Sequence, residues 1–137
     1  MESIFYEWSD MDKVLLVTGG SRGIGAATAR LAAAKGYDVC ISYRQNQTAA
    51  DSVVRSIEQQ GQNAIAIAAD VASEPDILRL FSEVDQQLGL LTAFVNNAGI
   101  LEQQMSVADM DVARLNRVFS TNVIGSFLCA REAVKRM

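Results

Sequence analysis

The residues best placed to do chemistry are the glycines of Thr18-Gly-Gly-Ser-Arg-Gly-Ile-Gly25, which follow one apolar run and precede another of helical spacing. A loop of this kind can adopt positive φ and turn its backbone N–H groups toward a phosphate. A helix starting there adds the partial positive charge of its N-terminus. Side chains at Gly23 or Gly25 would block close approach of a ligand, or of the helix to the strand. The strict GxGxxG spacing is not met, since Gly23-Ile-Gly25 is followed by Thr28. A P-loop is not met either: Ala26 and Ala27 stand where Lys and Ser/Thr are required. A plain tight turn is the alternative, and the position between strand and helix counts against it.

If the loop holds a dinucleotide, the choice of coenzyme falls to the next strand, which ends Ser42-Tyr43-Arg44. NAD sites place an acid about 20 residues beyond the glycines to accept from the ribose hydroxyls. No acid occurs between Val39 and Ala50. An arginine there would instead form charge-assisted bonds with a 2′-phosphate. NADP is therefore expected over NAD, the alternative being that Arg22 and Arg44 are solvated loop charges. The sequence has no histidine, which excludes His-dependent triads and His-ligated metal sites, and no metal is expected.

The elements that must position these groups alternate regularly. Val14 to Val17, Asp38 to Tyr43, Ala64 to Ala68 and Leu91 to Val95 read as strands, the first being apolar throughout, as a strand covered on both faces would be. Ile24, Ala27, Leu31 and Ala32 recur at helical spacing until Gly36. Thr48 with Asp51 resembles a capping box opening a second helix that runs to Gly61. Ser73 and Asp76, with Pro75 in the first turn, open a third that ends at Gly89. Asp109 to Met137 is helical again, with breaks near Asn122 and Gly125. Strands separated by crossover-length helices specify an α/β, Rossmann-like, doubly wound parallel sheet. The expected division is an acidic tail over 1–12 and a nucleotide-binding half-domain over 13–137.

Composition agrees and excludes other classes. Of 137 residues, 50% are hydrophobic and 20% charged, which suits one globular domain rather than a disordered chain. The net charge of −4 resides in Glu2, Glu7, Asp10 and Asp12, because beyond Asp12 twelve acids face twelve bases. A neutral body argues against nucleic acid as the main partner. No apolar run approaches the ~20 residues of a membrane span, and the opening MESIFYEWSDMD lacks a signal peptide's basic start and apolar core. Cys40 and Cys129, inside apolar runs with no CxxC, read as buried thiols of a cytoplasmic protein.

Spelled TGxxxGxG, the glycine loop is the cofactor motif of the short-chain dehydrogenase/reductase family. From residue 13 to 137 the chain resembles the N-terminal half of a member. The resemblance implies that Gly19, Gly20, Ser21, Arg22, Gly23, Ile24 and Gly25 bind the coenzyme, with Arg22 where NADP-preferring members carry a second base. Tyr43 and Arg44 would lie beside the adenosine phosphate. Asp70 would hydrogen-bond the adenine amino group and Val71 pack on its ring. Asn96-Asn97-Ala98-Gly99 matches the family's NNAG, so Asn97, Ala98 and Gly99 would contact the cofactor's ribose and stabilise the sheet. Asn122, in Ser120-Thr-Asn122-Val, matches the catalytic asparagine that holds a water leading to the catalytic lysine.

The family's chemistry also needs a Ser that orients the carbonyl and a Tyr followed four residues later by Lys. Here Tyr6, Tyr37 and Tyr43 are followed at that distance by Asp10, Ile41 and Gln47. The chain as it stands is therefore expected to be inactive, the cofactor half of an NADP-dependent oxidoreductase acting on a small-molecule alcohol/carbonyl pair. Its fold would be cut after the fourth strand and the long helix, leaving that strand's edge to be covered by a partner or by sequence not given. The alternative is a non-catalytic dinucleotide-binding or sensor protein. Val123, Phe127, Leu128, Ala130 and Val134 give the last helix a broad apolar face, expected either in the core or, as the family implies, between subunits of a homo-oligomer, dimer or tetramer.

Overall fold

The computed structural model describes residues 12–137, so all of the expected acidic tail except Asp12 lies outside the described residues. Four strands, β1 (Val14–Val17), β2 (Asp38–Tyr43), β3 (Ala64–Ala68) and β4 (Ala93–Val95), form one parallel sheet in the order β3-β2-β1-β4. Between them run α1 (Gly23–Ala34), α2 (Gln47–Glu58) and α3 (Glu74–Gln87). A 3-10 turn (Val107–Asp109), α4 (Val112–Phe119), a π-helical turn (Ser120–Gly125) and α5 (Ser126–Val134) follow β4.

The doubly wound character follows from the two-residue period of the central strands. Leu15, Val17, Val39 and Ile41 point to one face and pack on Ala26, Ala29 and Ala33 of α1 and Val53 and Ile57 of α2. Val14, Leu16 and Cys40 point to the other and pack on Ile77, Leu80, Phe81 and Val84 of α3 and Cys129 and Ala133 of α5. Neither face of β1 or β2 meets water, which is why their sequences carry apolar residues without alternation. Both cysteines are free and buried. Burial pushes the Cys129 thiol up to about 11 and raises Cys40 further, so neither is a nucleophile at neutral pH.

The structure corrects several expected boundaries. The cap of α2 is Asn46, whose side chain accepts from the Ala49 N–H at 3.0 Å, and Thr48 lies inside the helix. β4 is shorter than Leu91 to Val95, because Thr92 turns its hydroxyl into the ladder: Oγ1 accepts from Val14 N–H at 2.9 Å. The helix expected from Asp109 starts at Val112, capped by Asp111. The two expected breaks are a single π turn containing both Asn122 and Gly125. The apolar face of α5 is divided: Cys129 and Ala133 enter the core, whereas Phe127 and Val134 are 74% and 77% exposed. Among the described residues no helix is long and apolar enough to cross a membrane.

α5 is fastened to α3 by charge as well as by packing. Glu132 is buried, with Arg131, Lys135 and Arg136 each 3.0 Å from its carboxylate. Arg131 also reaches Glu74, and Arg136 reaches Asp85, each at 2.9 Å, both on α3. Burial pushes the Glu132 carboxyl up, but the three cationic donors outweigh it and hold the group below the usual carboxylate range. A depressed folded-state pKa adds stability that is complete above the unfolded-state value and disappears as pH falls through the folded-state one. Glu132→Gln should therefore destabilise the fold at neutral pH, and the difference from wild type should shrink below about pH 4. Urea denaturation of both chains at each pH measures this, and a deficit that persists undiminished in acid would contradict the ion-pair account.

Candidate nucleotide-binding site

A cavity of about 630 Å³ opens at the C-terminal edge of the sheet, where the chain leaves β1, β2, β3 and β4. In an open parallel sheet this is where the strand order reverses, and the loops after β1 and β4 diverge to make a crevice. All the residues singled out for coenzyme binding line it except Gly20. Gly19, Ser21, Arg22, Gly23, Ile24 and Gly25 come from the first loop, Tyr43 and Arg44 from the end of β2. Asp70 and Val71 follow β3, and Asn97, Ala98 and Gly99 follow β4. Gly20 faces inward, where a Cβ would stand 2.5 Å from Ile41 Cγ2; what it needs is room against β2.

Two groups that sequence reasoning left out of the site build its walls. Thr18, fully buried, accepts at Oγ1 from the N–H groups of Asn97 and Ala98 at 3.0 and 3.1 Å. Ser42 takes the Gly19 N–H on its Oγ at 3.2 Å and the Gly20 N–H on its carbonyl at 2.9 Å. The signal for Ser42 was present: a hydroxyl inside an otherwise apolar, doubly covered strand. Asn97 completes the stitching, since its Nδ2 donates to the carbonyls of Thr18 and Gly19, both at 3.0 Å.

This stitching decides which amides are available. Gly19 and Gly20 spend theirs on Ser42, whereas no partner exists among the described residues for the N–H groups of Ser21, Arg22, Gly23, Ile24 and Gly25. α2, α3 and α4 carry side-chain caps, but α1 begins after an extended Arg22 whose side chain does not cap, with no acid in its first turn. The uncapped end of α1 faces the cavity with its donors and its dipole unanswered. Gly25 lets this end come close, since a Cβ there would lie 2.3 Å from the Gly19 carbonyl oxygen.

Arg44, at the end of β2, and the uncharged Ala98, Gly99 and Ile100, after β4, line the cavity on opposite sides of β1, and Arg22 comes from the loop after β1 itself. Asn122 does not line the cavity. Its side chain lies behind the wall, with Oδ1 accepting from Ile100 N–H and Nδ2 donating to Ile100 C=O, both at 2.8 Å. Beyond Ile100, Glu102 is held by Arg117 at 2.7 Å and Arg114 at 3.6 Å, and the Arg117 bond keeps its carboxyl below the usual range. The loop leaving the cavity is thereby pinned to α4. Among the described residues no cluster of acids and cysteines is arranged to hold a metal ion.

A parallel sheet with an uncapped helix end and a glycine turn at its switch point is an α/β arrangement of the Rossmann type. The family model for short chain dehydrogenase matches residues 13–137, and the chain belongs to that family. It is 52% identical over 124 residues to the Escherichia coli oxidoreductase YgfF, covering 90% of this chain and 50% of that protein. It is 37% identical to the 3-oxoacyl-[acyl-carrier-protein] reductase FabG of Staphylococcus aureus, covering 93% of this chain and 51% of that one. A short chain dehydrogenase from Burkholderia cenocepacia, solved in complex with NADP, superposes with a TM-score of 0.87 at 38% identity, covering 91% of this chain and 51% of that one. The chain thus spans about half the length of the relatives it matches.

Gly23 and Gly25 separate two glycine requirements that a motif merges. Gly23 has φ 55° and open space around its Cβ position, whereas Gly25 has an ordinary φ and no space. Gly23→Ala should cost about 1–2 kcal/mol, the strain of the left-handed region. Gly25→Ala should cost more than that, because backbone must move. Chemical denaturation of both variants gives the order, and the reverse order would refute the assignment.

Proposed function

We propose that this chain is the NADP(H)-binding half of an oxidoreductase that interconverts a small-molecule alcohol and carbonyl. The observation that carries the reading is the free row of amides from Ser21 to Gly25 at the uncapped end of α1, in a cavity that Arg22 and Arg44 also line, with no acid at the end of β2 in the sequence. Donors without partners and positive charge are what a diphosphate and a 2′-phosphate require. The coenzyme would supply the hydride. The chain's own part is to bind and orient it: the α1 amides on the diphosphate, Arg22 and Arg44 on the 2′-phosphate, Asp70 and Val71 at the adenine, and Asn97 to Gly99 along the ribose.

Asn122 fits a positioning role in this scheme. Its side-chain amide makes one bond in each direction with Ile100, and its main-chain carbonyl accepts from Ser126 Oγ at 3.0 Å; the resemblance implies that this residue holds the relay water. With no Tyr-x-x-x-Lys among its 137 residues, the chain alone should bind coenzyme without turning substrate over.

Calorimetric titration tests the coenzyme assignment. NADP+ should bind more tightly than NAD+, and Arg44→Asp should weaken NADP+ by about ten- to a hundredfold, the worth of a charge-assisted bond of about 1.5–3 kcal/mol. NAD+ should change little. Tighter binding of NAD+ by the wild type would refute the assignment.

The reading extends to assembly. Phe119, Ile124, Phe127 and Val134 are exposed along α4, the π turn and α5, and among the described residues β4 pairs with β1 alone. An apolar helix face and an open strand edge are both contact surfaces. Size-exclusion chromatography should show a homo-oligomer, a dimer or tetramer, and Phe127→Asp should shift it toward monomer; a stable monomeric wild type would count against this.

A further inference from the structure

Two opposite charges in the cavity are arranged in a way that coenzyme binding by itself does not require. Arg44 Nε lies 3.5 Å from Asp70 Oδ2, across the ends of the adjacent strands β2 and β3. Asp70 is fixed from its own side: Oδ1 accepts from Ala72 N–H at 2.9 Å, and its N–H donates to Asp76 Oδ2 at 2.9 Å. Arg44 has no such anchorage. Its side chain is 60% exposed, and Asp70 is the one group that holds it among the described residues. The nearest approach is through Nε, at ion-pair distance without a hydrogen bond, and the terminal Nη1 and Nη2 groups have no partner among the described residues of the cavity that Arg44 lines.

We propose that Asp70 is a positioning residue for coenzyme specificity: it grips Arg44 by Nε and presents the terminal donors to the 2′-phosphate, favouring NADP over NAD. The inference rests on the coenzyme reading above and assigns to Asp70 an effect separate from any contact with the adenine. A long exposed arginine loses rotamer freedom when an anion fixes it. A carboxylate that has already ordered the side chain removes part of that loss. Against this stands the negative charge of Asp70 near an incoming phosphate. That charge is answered by Arg44 itself and by the Ala72 amide, and in an open, solvated site it is further screened. Ordering is taken as the larger effect, and the direction in which the affinity ratio moves in Asp70→Asn decides it.

The two roles of Asp70 have different signatures. A contact with adenine, which NAD and NADP share, changes both affinities alike; an action through Arg44 changes their ratio. The experiment is calorimetric titration of the 137-residue chain with NADP+ and with NAD+, for wild type, Asp70→Asn, Arg44→Gln and the double variant. Asparagine keeps the oxygen that accepts from Ala72, so the turn after β3 is preserved. Asp70→Asn should lower the NADP+ to NAD+ affinity ratio about two- to fivefold, the range of an exposed ion pair. The same substitution should leave the ratio unchanged once Arg44 is glutamine. A ratio that stays constant or rises in Asp70→Asn overturns the proposal, as does an equal fall in the Arg44→Gln background. Failure of the wild type to bind either coenzyme would remove the coenzyme reading and the proposal together, a result distinct from any change of ratio.

Discussion

The site depends on one side-chain amide. β1 and β4 lie side by side, but the chain leaves β1 toward α1 on one face of the sheet and leaves β4 toward the helices after it. Where the two part, the carbonyls of Thr18 and Gly19 have no ladder partner, and a buried polar group without a partner costs about 1–3 kcal/mol. Asn97 Nδ2 satisfies both, while the Thr18 hydroxyl accepts the amides of Asn97 and Ala98 in return. The knot closes the floor of the crevice and directs the first loop's remaining amides outward. Loss of Asn97 would expose both carbonyls and free the loop that carries the donors.

From that floor the cavity acquires its polarity. The side at the ends of β2 and β3 holds the Arg44–Asp70 pair; the side at β4 and the π turn holds the uncharged Ala98, Gly99, Ile100 and Thr121. The asymmetry comes from strand order, because β2 and β3 lie on one side of β1 and β4 on the other. Charges placed on the loops after β2 and β3 therefore collect at one end without any contact between the loops at the opposite one.

How much of this was legible from residues alone varied with the range of the interaction. β1, β2 and β3 begin and end where their apolar runs do, and Ser73 caps α3 as its spacing implied. These are local effects: a strand covered on both faces and a cap closed within one turn leave direct marks on the sequence. The cap of α2 was misplaced because Thr48 has an acid three residues on, the spacing of a capping box, whereas Asn46 caps with its own side chain and has Ala49 at that spacing. β4 was overextended because the Thr92 hydroxyl replaces a backbone partner, a substitution no propensity records. Within the site, the glycine loop and the arginines could be found by residue type. Thr18 and Ser42 were passed over because their value lies in partners 79 and 23 positions away in sequence.

The π turn is the clearest case of a feature that only contact explains. Asn122 and Gly125 suggest an interrupted helix by propensity, yet the helix continues, wound one residue wider. The wider turn is held at two points. Asn122 closes both ends of its amide on Ile100, and Gly125 lies against the Val71 carbonyl so closely that a Cβ would stand 2.4 Å from the oxygen. Asn96 adds a third hold by donating to the Ser126 carbonyl at 2.8 Å. One segment therefore touches the loop after β3 and the loop after β4 at once, and both loops line the same cavity. An ordinary α-turn would rotate Asn122 and Gly125 relative to each other, so that one of the two contacts would be lost. The irregularity thus joins the loop after β3 to the loop after β4.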